Sequence, residues 1–145
     1  LASAIANDGM MMQPYIVDHV VYPNGNTGKN TVPQKLMEIC SAEEASLLRE
    51  MMTEVVTSGT GSAAAVSGIT VAGKTGTSEK LTVDGEYIAS FVGCAPADDP
   101  QIAVVIAIEN VTSGGLGNYV RDVYEAYFNS GSGVTNSQQS GTVLN

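Results

Sequence analysis

Tryptophan is missing from the 145 residues, histidine occurs once and cysteine twice. So few imidazole and thiolate ligands exclude a multi-histidine or cysteine-cluster metal centre, and two cysteines without a spacing motif read as small buried hydrophobes. Cys40 precedes a helix start and Cys94 sits in an apolar strand pattern, so both are expected as free thiols. His19 lies within a strand pattern with no second ligand near it, and is expected as a pairing or surface residue. Positive charge is also scarce. Six Lys and Arg stand against fifteen Asp and Glu for a formal net charge of −9, and the cations Lys29, Lys35, Arg49, Lys74, Lys80 and Arg121 are scattered. Such a chain lacks the basic face that nucleic-acid binding requires. Long apolar runs are lacking too: none reaches bilayer-spanning length, and the first residues lack the layout of a secretory signal, so the chain is expected to be soluble.

What is present suffices for one compact core: 43% of the residues are hydrophobic, and a chain of this length makes one domain or part of one. Leu1 to Gly9 reads as the last turns of a helix closed by a glycine, so the chain is expected to begin inside a domain. Tyr15 to Tyr22 is rich in β-branched and aromatic residues and predicts a strand, followed by turn chemistry over Pro23 to Gly28. Ser41-Ala-Glu-Glu44 is a capping box that starts a helix. Leu47, Leu48, Met51, Met52, Val55 and Val56 then recur at helical spacing as core residues, until Ser58-Gly-Thr-Gly61 ends the pattern.

A short helical turn over 63–65 and an extended run over 68–73 lead into Lys74. Asp84-Gly85 predicts a turn and Tyr87 to Ala95 a second strand. Gln101 to Glu109 is a nearly continuous apolar run, expected as a strand buried on both faces. Short connections between these three strands predict an antiparallel meander. Gly114 and Gly115 loosen the chain before a closing helix over 119–128, whose face of Val120, Val123, Tyr124, Tyr127 and Phe128 covers the sheet. The division is then a folded part over 1–129 and a Ser-, Gly-, Asn- and Gln-rich tail over 130–145, expected to be disordered.

The chemistry is concentrated in Lys74-Thr75-Gly76-Thr77, which joins a cation, two hydroxyls and a residue without a side chain just after an apolar stretch. On a strand, Thr75 and Thr77 share a face, and Gly76 lets a substrate backbone lie close. Residues Gly68 to Thr75 also satisfy the phosphate-loop pattern G-x-x-x-x-G-K-[ST] letter for letter. That reading needs a flexible turn between the glycines and a helix starting at the lysine. The intervening Ile-Thr-Val-Ala is strand-like, and Gly76 argues against a helix.

The series Val71-Ala-Gly-Lys-Thr-Gly-Thr77, Ala89-Ser-Phe-Val-Gly93, Ala95-Pro-Ala97 and Pro100-Gln-Ile-Ala-Val-Val105, in this order, resembles the class B penicillin-binding proteins. Ala6-Asn-Asp-Gly9 and Val55-Val-Thr-Ser-Gly-Thr-Gly61 extend the likeness, which runs from Leu1 to about Phe128. The resemblance implies an α+β fold: part of a penicillin-binding/β-lactamase-like transpeptidase domain, with about three main antiparallel strands, packing helices and its N-terminal portion missing.

The same resemblance implies the C-terminal, substrate-binding portion of a membrane-anchored D,D-transpeptidase at the outer face of the bacterial plasma membrane. Such enzymes cross-link peptidoglycan stem peptides by acyl-serine transfer and are acylated by β-lactams. Lys74 would add positive field and bond the serine of an S-x-N motif. Thr75 and Thr77 would hold the terminal carboxylate of D-Ala-D-Ala or of a β-lactam, Gly76 would complete the binding strand, and the Thr77 N–H would form half of an oxyanion hole. No cofactor is implied.

Of the family's three motifs, S-x-x-K, S-x-N and the lysine strand, only the third is here. Tyr22-Pro-Asn24 matches a Y-x-N variant of the second but falls in turn chemistry, which makes it a coincidence. The isolated chain is therefore expected to be inactive and to need the N-terminal remainder of the same enzyme as partner. Exposed sheet edges are expected to favour self-association. The alternatives are a non-catalytic peptide-binding or structural module of the same fold and, further off, a phosphate-loop nucleotide binder.

Overall fold

The computed structural model describes residues 1–80, 85–111 and 116–130. Its first element, α1 (Ala2–Ala6), ends as the glycine signal predicts: Gly9, at φ +82°, donates its N–H to the carbonyl of Ala4 at 2.8 Å. Two small antiparallel pairs follow, β1 (Met10–Met12) with β4 (Lys35–Glu38), and β2 (His19–Val21) with β3 (Thr27–Asn30). The strand expected over Tyr15 to Tyr22 is thus reduced to three residues. His19 is exposed and bonds the neighbouring Asp18 carboxylate at 2.9 Å. β4 was invisible to pattern reading because its four residues are all exposed and carry no alternation.

Helix α2 (Ala42–Thr57) begins at the predicted capping box: Glu44 N–H donates to Ser41 Oγ at 3.2 Å, and Ser41 N–H to the Glu44 carboxylate at 2.8 Å. Its apolar residues are not all interior. Ala45 and Val56 are buried, but Leu47 and Met51 are exposed, which corrects their reading as core filler. They lie one turn apart on a side of α2 that no described element covers. Arg49, on the same helix, is buried at 7% exposure. Its Nη1 donates to the Ile5 carbonyl at 2.7 Å, Nε to the Ala97 carbonyl at 3.0 Å, and Nη2 to the Asp8 carboxylate at 3.0 Å. One guanidinium therefore joins the end of α1, the middle of α2 and the turn between two later strands.

A 3₁₀ turn (Ser62–Ala64) leads to the three-stranded antiparallel sheet β5 (Ala72–Glu79), β6 (Tyr87–Ala95) and β7 (Ile102–Val111), in that spatial order. This is the expected meander. The β5–β6 connection is closed by Lys80 N–H donating to the Glu86 carbonyl at 2.9 Å. The predicted turn residue Asp84 and the loosening at Gly114-Gly115 lie outside the described residues, as does the tail from 131 onward.

Phe91, Val104, Ala95 and Val71 on one sheet face pack with Val56, Ala64 and, from α3 (Gly117–Asn129), Val120 and Tyr124. Phe91, Val120 and Tyr124 have no exposed surface. The expectation that β7 is buried on both faces fails: Ala103, Val105 and Ala107 alternate with the packed residues, all three exposed, with Val105 at 71%. The run is apolar on both sides, but α3 covers only one. Both cysteines are free.

Candidate functional site

Lys74, Thr75, Gly76 and Thr77 lie in the middle of β5, which among the described residues pairs only with β6 and so forms one edge of the sheet. The strand is buried where it starts, at Ala72 and Gly73, and emerges at Lys74. A strand that leaves the core in this way offers rigid backbone at one end and accessible side chains at the other. The phosphate-loop alternative fails here, because residues 72–79 are extended and no helix begins at Lys74.

In the register of β5 on β6, Lys74 faces Val92, Thr75 faces Phe91, Gly76 faces Ser90 and Thr77 faces Ala89. Opposed residues of an antiparallel pair share a face. Thr75 and Thr77 therefore stand on the side of Phe91 and Ala89, as strand alternation predicts, and Lys74 and Gly76 on the other. Lys74 is exposed and its Nζ donates to the Thr75 carbonyl at 2.7 Å. Thr77 is exposed and Thr75 partly so.

Gly76 has an internal reason to be glycine. A Cβ there would come within 2.5 Å of Ser90 Oγ. Close approach is thus required by the neighbouring strand, in addition to any substrate. Gly73 and Gly93, opposed to each other nearer the buried start of the strand, are tighter still: the ring of Phe91 lies against both.

One site residue was missed by sequence reasoning. Thr60, in the Ser-Gly-Thr-Gly loop that ends α2, places its Oγ1 2.8 Å from Thr75 Oγ1. The signal is a hydroxyl between two glycines, in a stretch that carries the helix stop and part of the family resemblance but by itself assigns Thr60 no role.

A recess of about 800 Å³ lies elsewhere, lined by Leu47, Glu50, Thr53, Thr70, Ala97 and Asp98 among others. It contains none of the four motif residues, and its Thr70 hydroxyl is engaged in the turn before β7, donating to the Asp98 carboxylate at 3.1 Å and accepting the Ala97 N–H at 3.2 Å; the β5 edge is the candidate site. Among the described residues no group of His, Cys, Asp and Glu is arranged to hold a metal. Cys94 is buried, and loss of water around the thiol pushes its pKa up, with the Arg49 charge pulling weakly the other way. A thiol so held is protonated and unreactive.

The chain belongs to the penicillin-binding protein transpeptidase domain family, whose family model matches residues 1–128. It is 38% identical over 136 residues to stage V sporulation protein D of Bacillus subtilis, covering 83% of this chain and 21% of that protein. It is 35% identical over 114 residues to peptidoglycan D,D-transpeptidase PbpA of Mycolicibacterium smegmatis, covering 76% of this chain and 23% of that one.

Among solved structures, the D,D-transpeptidase domain of a peptidoglycan glycosyltransferase from Eggerthella lenta superposes with a TM-score of 0.81 at 44% identity, over 90% of this chain and 31% of that one. The penicillin G acyl-enzyme complex of penicillin-binding protein A from M. tuberculosis superposes at 0.76 and 31% identity, over 88% of this chain and 30% of that one. The chain spans about a fifth of the length of these curated relatives.

Proposed function

We propose that this chain supplies the substrate-binding edge of a serine-type peptidoglycan D,D-transpeptidase acting at the outer face of the bacterial plasma membrane. The observation that carries the reading is the placement of Lys74 to Thr77 on an exposed sheet edge within a chain of this family. Lys74 contributes a fixed positive charge that favours an anionic substrate terminus and bonds the serine of an S-x-N motif. Thr75 and Thr77 donate hydroxyl hydrogens to the carboxylate of a stem peptide ending in D-Ala-D-Ala, or of a β-lactam. The Thr77 N–H forms half of the oxyanion hole.

The chain contains no S-x-x-K and no S-x-N. Acyl transfer needs nucleophile, base and oxyanion donors together, so the serine comes from the rest of the domain and the isolated chain turns over nothing. Fluorescent penicillin added to the longer protein that carries this chain tests the reading. Labelling that survives denaturation and is lost in Lys74→Ala is expected. An unlabelled but folded protein, or a Lys74→Ala variant labelled as fast as the parent, rules the reading out in favour of a non-catalytic module.

A further inference from the structure

The loop Ser58-Gly59-Thr60-Gly61 doubles back on the last turn of α2. A Cβ at Gly59 would stand 2.8 Å from the Val55 carbonyl oxygen, and one at Gly61 3.1 Å from the same atom. Gly61 N–H donates to that oxygen at 2.9 Å. Gly59 is thus needed for the backbone to lie this close to the helix, Gly61 is a tight fit, and the residue between them is carried against β5. There Thr60 Oγ1 meets Thr75 Oγ1 at 2.8 Å, the ordinary length of a hydroxyl–hydroxyl bond. The two residues are fifteen apart in sequence, so this contact is built by the packing of α2 beside β5 and not by local chain geometry.

We propose that Thr60 is a positioning residue for carboxylate recognition, acting through Thr75; the inference rests on the transpeptidase reading above. A threonine hydroxyl has one hydrogen to give and two lone pairs to receive. If Thr75 gives its hydrogen to a substrate carboxylate, its oxygen is left to accept, and Thr60 is the neighbour that donates to it. Thr60 then sets the direction of the pair and strengthens the outward bond by polarising it. Without that donor the Thr75 hydroxyl rotates freely among its staggered positions, and the carboxylate must select one of them.

The test uses the longer protein and two probes, benzylpenicillin and its methyl ester, which carries the same ring without the anionic carboxylate. Thr60→Val is expected to slow acylation by benzylpenicillin about tenfold, the worth of one modest hydrogen bond. Acylation by the ester should be unchanged, and Thr60→Ser should restore the parental rate. In a Thr75→Val background, Thr60→Val should have no further effect, since its role passes through that hydroxyl. Should Thr60→Val lower the melting temperature, Thr60→Ala is judged by the same criteria.

An unchanged benzylpenicillin rate, an equal loss with both probes in a folded variant, or full additivity with Thr75→Val overturns the inference while leaving the transpeptidase reading intact. A parent protein that benzylpenicillin does not acylate removes the reading itself, and the inference with it.

Discussion

The ring of Phe91 occupies the space that a side chain at Gly73 would fill. Gly93, opposite Gly73 on β6, is closed off by the same ring and by the Ala72 carbonyl. The edge strand is therefore seated on an aromatic wedge immediately before Lys74, with two opposed glycines making room for the ring.

Gly73→Ala is expected to destabilise the fold by about 1–3 kcal/mol, the usual cost of forcing extra volume into a close-packed core. Gly76→Ala should cost much less, because the atom it meets is Ser90 Oγ, which turns aside by a rotamer change. Urea denaturation of the two variants checks the order. Equal losses would mean that the wedge is not rigid.

Arg49 and Asp8 are partners with unequal stakes. Removing the guanidinium in Arg49→Ala leaves the Ile5 and Ala97 carbonyls without their donor, and hydrogen bonds to charged groups contribute about 1.5–3 kcal/mol each. Asp8 is 66% exposed, so Asp8→Ala should cost no more than about 1 kcal/mol. A chemical-denaturation series resolves the difference, and Arg49→Lys should recover only part of it, since an ammonium cannot span three acceptors in the same plane.

Tyr124 has no exposed surface, and its hydroxyl finds no hydrogen-bond partner among the described residues. Burial raises the pKa of this phenol above its ordinary 10.0, with the nearby Cys94 adding to the shift, and burial likewise raises the Cys94 thiol above 9.0. For both groups the native state keeps its proton to higher pH than the unfolded chain does. Their contribution to stability is thus complete below pH 9.0 and declines as pH rises through that value and then through 10.0. Melting temperatures followed into this alkaline range should fall in the parent. Tyr124→Phe should blunt the later part of the fall, and near neutral pH it should be neutral or stabilising, because it removes an unpaired buried hydroxyl.

Val105, at 71% exposure, projects from the uncovered face of β7 between the exposed Ala103 and Ala107. We expect the isolated chain to self-associate through this face and the sheet edge, giving a concentration-dependent sedimentation coefficient. Val105→Lys should shift the distribution toward monomer. A dilute parent chain that already sediments as a monomer would count against the expectation.

Legibility in the sequence followed the locality of each signal. Ser41 and Glu44 announced α2 because a capping box is read within four residues, and Gly9 closed α1 for the same reason. The meander was legible because its strands are long and its connections short. β4 and the reduced β2 were not, since two-stranded pairs of three or four exposed residues leave little periodicity to read.

Contacts between distant residues were the least visible. Nothing around Arg49 says that its guanidinium is buried against Ile5 and Ala97, and nothing around Thr60 says that it meets Thr75. For the site itself, Lys74 to Thr77 stood out by composition and order, whereas the side of the sheet on which each residue stands, and the internal reason for Gly76, required the register with β6.

The order β5-β6-β7 is also the order of the chain, and α2, which flanks β5, immediately precedes it. The motif-bearing edge is thus assembled from pairings of low contact order, in which little loop entropy is lost before contacts form. Within this segment the lysine strand can find its neighbours early, leaving a pre-formed template on which more distant parts of a domain can dock.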